Sequence, residues 1–381
     1  MPYITVRQTP RSHEVTLDEI LAGEVDLLRF APPSNNYATA TRTFYTPSLS
    51  SKLRLQAAPE KMAAWLDTFA ERYAGLYIQP RHSLYHRFYI PKRSGGLREI
   101  NAPLPPLMEA LRELKLFIET GLPTPYHTSA FAYVRGRNTI DAVRRHQQNK
   151  SRWFLKLDFS DFFGSTTKTF VMEMMSKIYP FCCLFDREEW KCALDKALYL
   201  CFLHGGLPQG TPISPTLTNL MMIPIDQKLN SVLREGHFVY TRYADDLLVS
   251  HRYKFDPERV QRDISSVLTS FNAPFRIKPE KTRYGSSSGS NWNLGVMLNK
   301  DNEITIGHKK KRNFKAMLDS YIRSKKGLAD AWELGDVQVL GGLISYYCMV
   351  EKESIEAIIK NYNERFSVDI RAMIKRDISA A

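Results

Sequence analysis

Acidic residues are scarce over much of this chain. None occurs between residues 81 and 98, where five Lys/Arg stand. Cysteine is also sparse: Cys182, Cys183, Cys192, Cys201 and Cys348 are all there is. None forms a CxxC pair and no clustered His completes a zinc-type spacing, which excludes ribbon and finger modules. Free thiols in a reducing cytosol are the expectation. No run of about 18 apolar residues occurs, so no membrane helix is expected. The opening "MPYITVRQTPRSHEV" lacks the apolar core of a secretory leader. There is no internal repeat and no long low-complexity tract, which excludes solenoids and linkers.

What is present is positive charge. Across 381 residues, 53 Lys+Arg outweigh 40 Asp+Glu, a net +13. The excess lies in three stripes, residues 81–98, 135–156 and 300–326. A polyanionic partner is expected, and a long charged channel suits three stripes better than one patch. A solvated basic surface is the plainer alternative. With 43% hydrophobic residues the chain can bury a core, and its length suggests two or three domains.

Periodicity organises the chain. Residues 1–55 read as an extension with a helix around 17–28. Met62, Trp65, Leu66, Phe69 and Tyr73 have helical spacing in 59–78. "RFYIPKRSGGLREINAP" reads as a hairpin about Ser94-Gly95-Gly96. Residues 104–120 and 138–149 read as helices. "RWFLKLDFSDFF" reads as a buried strand ending in acids. Residues 166–203 are mostly helical. Ser214-Pro215 opens a further helix, with Ser214 as the expected N-cap and Pro224 as an expected kink. Residues 256–271 form another helix, "NWNLGVML" a strand, and the pattern from about 308 is helical. This order predicts an α+β core flanked by two subdomains.

"YTRYADDLLVS" (240–250) sets Asp245 and Asp246 side by side among strand-forming apolar residues. Adjacent carboxylates repel and resist desolvation. Such a pair is also a common turn cap. If the strand ending at Asp158 neighbours this hairpin, three carboxylates meet at one sheet edge. Hard oxygen ligands of that kind suit Mg²⁺, and two such ions serve phosphoryl transfer.

"YADD", preceded by "LKLDFSDFF" (155–163) and "LPQGTPISPTLTN" (207–219), closely resembles a reverse transcriptase. The likeness extends to "YIPKRSGGLREINAP", "SAFAYVRGRNTIDAV", "NLGVML" and "VLGGLISYY", covering about residues 80–350. It implies a right-hand polymerase fold: fingers, a palm of antiparallel sheet backed by helices, and a helical thumb. The implied boundaries are 1–79 for the extension and start of the fingers, 80–151 for fingers, 152–298 for palm with a helical insertion at 166–203, and 299–381 for thumb.

The resemblance also implies roles. Asp158, Asp245 and Asp246 would hold two Mg²⁺ ions, with Mn²⁺ as a substitute and the Phe159 carbonyl close by. Lys92 and Arg98 would grip the incoming triphosphate. The backbone of Asp161 and Phe162 would meet the triphosphate and sugar. Phe163 would be the steric gate that selects dNTP over rNTP, or else plain core. Gln209 would stand beside the sugar and base. Tyr243 and Ala244 would lie under the primer end, and Leu294 and Gly295 in the primer grip. Lys281 would be a general acid for pyrophosphate, or a surface lysine. Lys309, Lys310, Lys311 and Arg312, with Lys315, would bind backbone phosphates. Phe131, Tyr133 and Trp153 are first read as core, with stacking on template bases as the alternative.

The stretch after "NLGVML" has room for a thumb, and no RNase H or nuclease domain is expected. The loop "QGTPISP" departs from the diversity-generating type. The retron patterns Asn-Ala-x-x-His and Val-Thr-Gly do not occur. The compact defence-associated, unassigned-group bacterial enzymes therefore come first and a retron enzyme second. Either implies dNTPs, a structured non-coding RNA as template or primer, a cDNA product and a bacterial cytoplasm, with no membrane partner. A homo-oligomer, an accessory defence protein, protein-primed synthesis and a non-catalytic RNA-binding relative stay open.

Overall fold

The computed structural model describes residues 59–92, 95–121, 126–288 and 295–380. The expected helix at 17–28 and Leu294 lie outside the described residues. Two compact units emerge: residues 59–137, 157–247 and 256–282 form one, and 138–156, 248–255 and 283–380 the other.

The first unit opens with α1 (Pro59–Arg72), which buries Met62, Leu66 and Phe69 along one stripe. The helix breaks at Tyr73 before the single turn α2 (Ala74–Tyr77). Strands β1 (Tyr85–Pro91) and β2 (Leu97–Pro103) form the expected hairpin, in register from Tyr85↔Pro103 to Pro91↔Leu97. Gly95 and Gly96 turn it with φ of 87° and 79°, a region that side chains disfavour. Helix α3 (Pro105–Gly121) follows.

In the second unit α4 (Thr139–Gln148) begins at a capping box of Asn138 and Asp141. Then comes the central strand of the sheet, β3 (Trp153–Ser160), of which residues 157–160 already belong to the first unit. Helices α5 (Lys168–Met175), α6 (Glu188–Tyr199) and α7 (Ser214–Glu235) return to the first unit. Ser214 is not a cap: its hydroxyl donates to the Pro208 carbonyl at 2.9 Å and pairs with Thr211 at 2.6 Å. The helix starts at Ser214 itself, so the serine fastens the preceding loop. Helix α7 runs on through Pro224.

Strands β4 (Val239–Tyr243) and β5 (Asp246–His251) precede α8 (Pro257–Ser270), β6 (Arg276–Ile277) and β7 (Arg283–Ser286). The five-stranded sheet has the order β4–β5–β3–β6, and β7 also pairs with β3. Along β3, Trp153–Lys156 pair with β7 and Phe159–Ser160 with β6. Consecutive side chains of β3, which point to opposite faces of the sheet, are mostly buried, and this accounts for its nearly unbroken apolar run.

The second unit continues with β8 (Met297–Leu298), β9 (Ile304–Thr305), α9 (Gly307–Lys325), α10 (Leu334–Phe366) and α11 (Ile370–Ser379). Phe314, Leu318 and Ile322 of α9 pack with Leu340 and Ile344 of α10 and Ile370 of α11. Each such side chain contributes roughly 1.5–3 kcal/mol on burial. Helix α10 is broken at Glu351 (φ −150°, ψ 63°). The Glu351 carboxylate accepts from the Thr305 hydroxyl at 2.9 Å and the Ile306 N–H at 3.2 Å, and it pairs with Lys311. A sealed polar cluster joins His146 Nδ1 to Ser250 at 2.6 Å, and Ser250 to Ser151 at 2.7 Å.

None of the five cysteines is in a disulfide, and burial pushes the Cys201 thiol up to about 12, which keeps it protonated. Among the described residues no helix is long and apolar enough to cross a membrane.

Candidate active site

Strand β3 delivers Asp158, 6% exposed, to the end of the sheet where β5 begins. The turn between β4 and β5 carries Ala244 and Asp245, and Asp246 is the first residue of β5. A backbone bond from the Phe159 N–H to the Asp245 carbonyl, 3.0 Å, ties the turn to β3. The three acids thus share one edge of the sheet, the outcome expected if the two strands were neighbours.

Lys281 joins them from the short 3-10 turn Pro279–Lys281. Its ammonium spans both oxygens of Asp158, at 3.0 and 2.9 Å. The Lys278 N–H donates to the Asp158 carbonyl at 2.8 Å, which fixes the segment. The hydrogen bond to Asp158 raises the Lys281 pKa above its usual value. Partial burial opposes this, and the charges of Asp158, Asp245 and Asp246 add to it. Lys281 is therefore an ammonium at neutral pH that feels all three acids.

Among the described residues no three His, Cys, Asp or Glu side chains close into a ready metal cage. Like charges keep apart until a cation stands between them, and Asp158 is engaged by Lys281. The donor set still fits a hard divalent ion. It consists of carboxylate oxygens, without thiol or imidazole, and Asp158 already grips a cation with both oxygens.

The loop after β3 turns sharply. Asp161 has φ of 44°, and its carbonyl accepts from the Ser165 N–H at 2.8 Å. Phe162 is 3% exposed and packs in the core with Phe159 and Phe275, while Phe163 is only half-buried beside it. The Phe163 carbonyl accepts from the Leu207 N–H at 2.9 Å, which holds the loop of Gln209 alongside. The Gln209 carbonyl accepts from Asn101 of β2 at 2.8 Å. Gly210, φ 106°, makes that approach possible: a Cβ there would stand 2.7 Å from Ile100. Lys92 and Arg98 are exposed at the tip and flank of the hairpin.

The sequence reading missed two features here. Tyr133, first read as core, is 55% exposed with φ of 58°. Desolvation, then Asp245 and Tyr243, raise its phenol above the usual value, and Arg98 pulls the other way. It stands at the rim of the acids. Phe131 is core as expected, and Trp153 stacks on Tyr284 at 5.4 Å. The second feature lies beneath Tyr243, which is half-buried. Arg242, 1% exposed, donates to Asp226 from Nε at 3.0 and 3.1 Å and from Nη2 at 2.8 Å. Its Nη1 donates to Asn219 and to the Ala244 carbonyl, both at 3.1 Å. The Tyr240 hydroxyl donates to Asp226 at 2.8 Å. One signal was available: opposite charges inside an apolar helix and an apolar strand.

In the second unit the basic run divides. Lys309, Arg312 and Lys315 are exposed at helical spacing on α9. Lys310 donates to the Gly295 carbonyl and Lys311 pairs with Glu351, so these two expected phosphate ligands serve the fold. Spacing alone does not distinguish the two uses.

A mixed frame of helices and antiparallel strands gathers three acids at one sheet end, the arrangement that the resemblance to a polymerase implies. The family model described as reverse transcriptase (RNA-dependent DNA polymerase) matches residues 90–315, more than half of the chain. The chain belongs to this family and has the right-hand polymerase fold. Retron Ec83 reverse transcriptase of Escherichia coli is 26% identical over 300 residues, 75% of this chain and 90% of that protein. Retron Mx162 reverse transcriptase of Myxococcus xanthus is 28% identical over 297 residues, 74% of this chain and 60% of that protein. Retron Ec73 reverse transcriptase of Escherichia coli is 28% identical over 267 residues, 68% of this chain and 80% of that protein. Retron enzymes, second on short patterns, are thus among the proteins with which similarity extends along the chain.

Proposed function

We propose that this protein copies a bound structured non-coding RNA into cDNA by nucleotidyl transfer, in the manner of a retron-like enzyme of the bacterial cytoplasm, in anti-phage defence. The observation that carries the reading is the double contact of Lys281 with Asp158 beside the Asp245-Asp246 turn. Asp158, Asp245 and Asp246 would hold Mg²⁺, or Mn²⁺ in its stead. When bound there, such ions would supply activation of the primer hydroxyl and neutralisation of charge on the leaving pyrophosphate.

The chain's own residues do the rest. Lys281 keeps a proton on Nζ for the leaving group. Lys92 and Arg98, on an exposed hairpin, meet the triphosphate with charge. Phe163 offers a ring edge beneath the sugar, and the Gln209 loop confines the nucleotide from the other side. Lys309, Arg312 and Lys315 bind duplex phosphates without reading sequence. The fingers, palm and thumb follow the boundaries 80–151, 152–298 and 299–381.

The test is primer extension on an RNA template. The double variant Asp245→Ala, Asp246→Ala is expected to lose dNTP incorporation while its melting temperature holds. Undiminished extension would sink the assignment. The similarity to retron enzymes supports a product joined to RNA. Ribonuclease treatment of the product that co-purifies with the protein is expected to shift its mobility.

A further inference from the structure

Arg242 is the largest fully buried side chain among the described residues. Its contacts divide by direction. Nε and Nη2 face Asp226, which neutralises the charge within a site closed to solvent. Nη1 faces the other way, toward Asn219 and the Ala244 carbonyl. Ala244 immediately precedes Asp245 and has φ of 58°. A left-handed alanine is strained by its Cβ, and something must hold it there. A charged donor on its carbonyl is a suitable holder.

The same arm reaches a second strained residue. Asn219 accepts from Nη1 through its oxygen and donates through Nδ2 to the Ala132 carbonyl at 2.8 Å. The next residue is Tyr133, also at φ 58°, with its ring at the rim of the acids. The backbone of Arg242 repeats the link. Its N–H donates to the Ser129 carbonyl at 2.7 Å, and its carbonyl accepts from the Phe131 N–H at 2.9 Å. Segment 129–132 is therefore stitched along β4 as a ledge, and Arg137 props it through the His127 and Ala130 carbonyls at 2.9 and 2.7 Å. One guanidinium arm thus holds the carbonyl of left-handed Ala244 directly and, through Asn219, the carbonyl of the residue before left-handed Tyr133.

We propose that Arg242 is a positioning residue for polymerisation: through Ala244 it sets the turn that presents Asp245 and Asp246, and through Asn219 it locks the Tyr133 ledge to that turn. The proposal rests on the catalytic reading of the two acids. It separates from a role in stability alone because lysine and arginine differ. A lysine at 242 can neutralise Asp226, but a single ammonium lacks the planar fork that reaches three acceptors at once.

The experiment uses the full chain with a poly(rA) template, an oligo(dT) primer and dTTP. It reads kcat, the KM for dTTP, the Mg²⁺ concentration at half-maximal rate, the melting temperature, and the rise in melting temperature that Mg²⁺ induces without substrate. Arg242→Lys is expected to fold, to lose kcat by roughly tenfold to a hundredfold, to need more Mg²⁺, and to show a smaller Mg²⁺-induced rise. Asn219→Ala keeps the Arg242–Asp226 pair and is expected to move the same quantities less. Both variants folded, with wild-type kcat, Mg²⁺ requirement and Mg²⁺-induced rise, overturn the proposal. If Arg242→Lys does not fold, Asn219→Ala decides by the same readouts. A wild-type chain that cannot extend the primer overturns the polymerase reading together with the proposal. Wild-type extension that Asp245→Ala, Asp246→Ala abolishes, with Arg242→Lys unaffected, overturns the proposal alone.

Discussion

Two Asp–cation pairs lie in the same unit and follow opposite rules. Asp226 and Arg242 have side chains 0% and 0% exposed, and every arm of the guanidinium has an acceptor. Asp158 is nearly as enclosed at 9%, but its partner Lys281 is 48% exposed. The first pair has no solvent route for exchange. The second is closed on the protein side and open on the cation side. A carboxylate sealed with its cation becomes scaffold. A carboxylate whose cation can leave remains available for another one.

The contrast is most severely tested at Asp226. Asp226→Ala leaves a buried guanidinium unpaired and is expected to lower unfolding free energy by about 3–5 kcal/mol. Denaturant midpoints check this, and a loss below about 1 kcal/mol would make the sealed pair no different from a surface one. Lys281→Ala should invert the pattern. Extension falls by about 10²-fold or more, as for loss of a proton donor. Stability moves by less than about 1 kcal/mol, because the lysine is half in solvent. A large melting shift with normal extension would assign Lys281 to the scaffold.

The neighbouring rings repeat the contrast on a smaller scale. Phe162 is sealed and Phe163 is half-open. Phe163→Ala should raise rNTP use relative to dNTP by roughly tenfold, the effect of about 1–3 kcal/mol in a shaped pocket. Competition assays with both nucleotides measure it, and unchanged discrimination returns Phe163 to the core. The smallest effect belongs to the second unit's sealed cluster. Burial, aided by the Arg145 charge, lowers His146 from 6.5 to about 3. Above pH 6.5 neither folded nor unfolded His146 carries the proton. Below it only the unfolded chain gains one, so stability falls as pH drops from 6.5 toward about 3. At pH 5.5 the loss is about 1 kcal/mol. His146→Phe should flatten that slope, and an identical slope in the variant would show that other groups set it.

The family and the meeting of the three acids were legible in the sequence because these residues cannot be ordinary. Adjacent acids in an apolar hairpin, an acid closing a buried strand and a glycine-turned basic hairpin each conflict with local preference. Their chain order made the family legible. The partners of charged groups were not legible. Lys281 and Asp158 stand far apart along the chain, and the β3–β6 pairing brings their segments together. Lys309 and Lys311 belong to one basic run, yet one faces solvent and the other is spent on Glu351. Ser214 looked like a cap because cap and loop fastener use the same hydroxyl. Tyr133 was hidden for a similar reason: an aromatic amid apolar neighbours reads as core until a left-handed backbone turns it outward.

The break in α10 at Glu351 has a mechanical side. The residue that interrupts the helix also fastens Thr305, Ile306 and Lys311, so one carboxylate acts as a rivet through three pieces of chain. A change at that single position would loosen the start of α9 and both arms of α10 together. The basic face of α9 therefore takes its bearing from a single acid on α10.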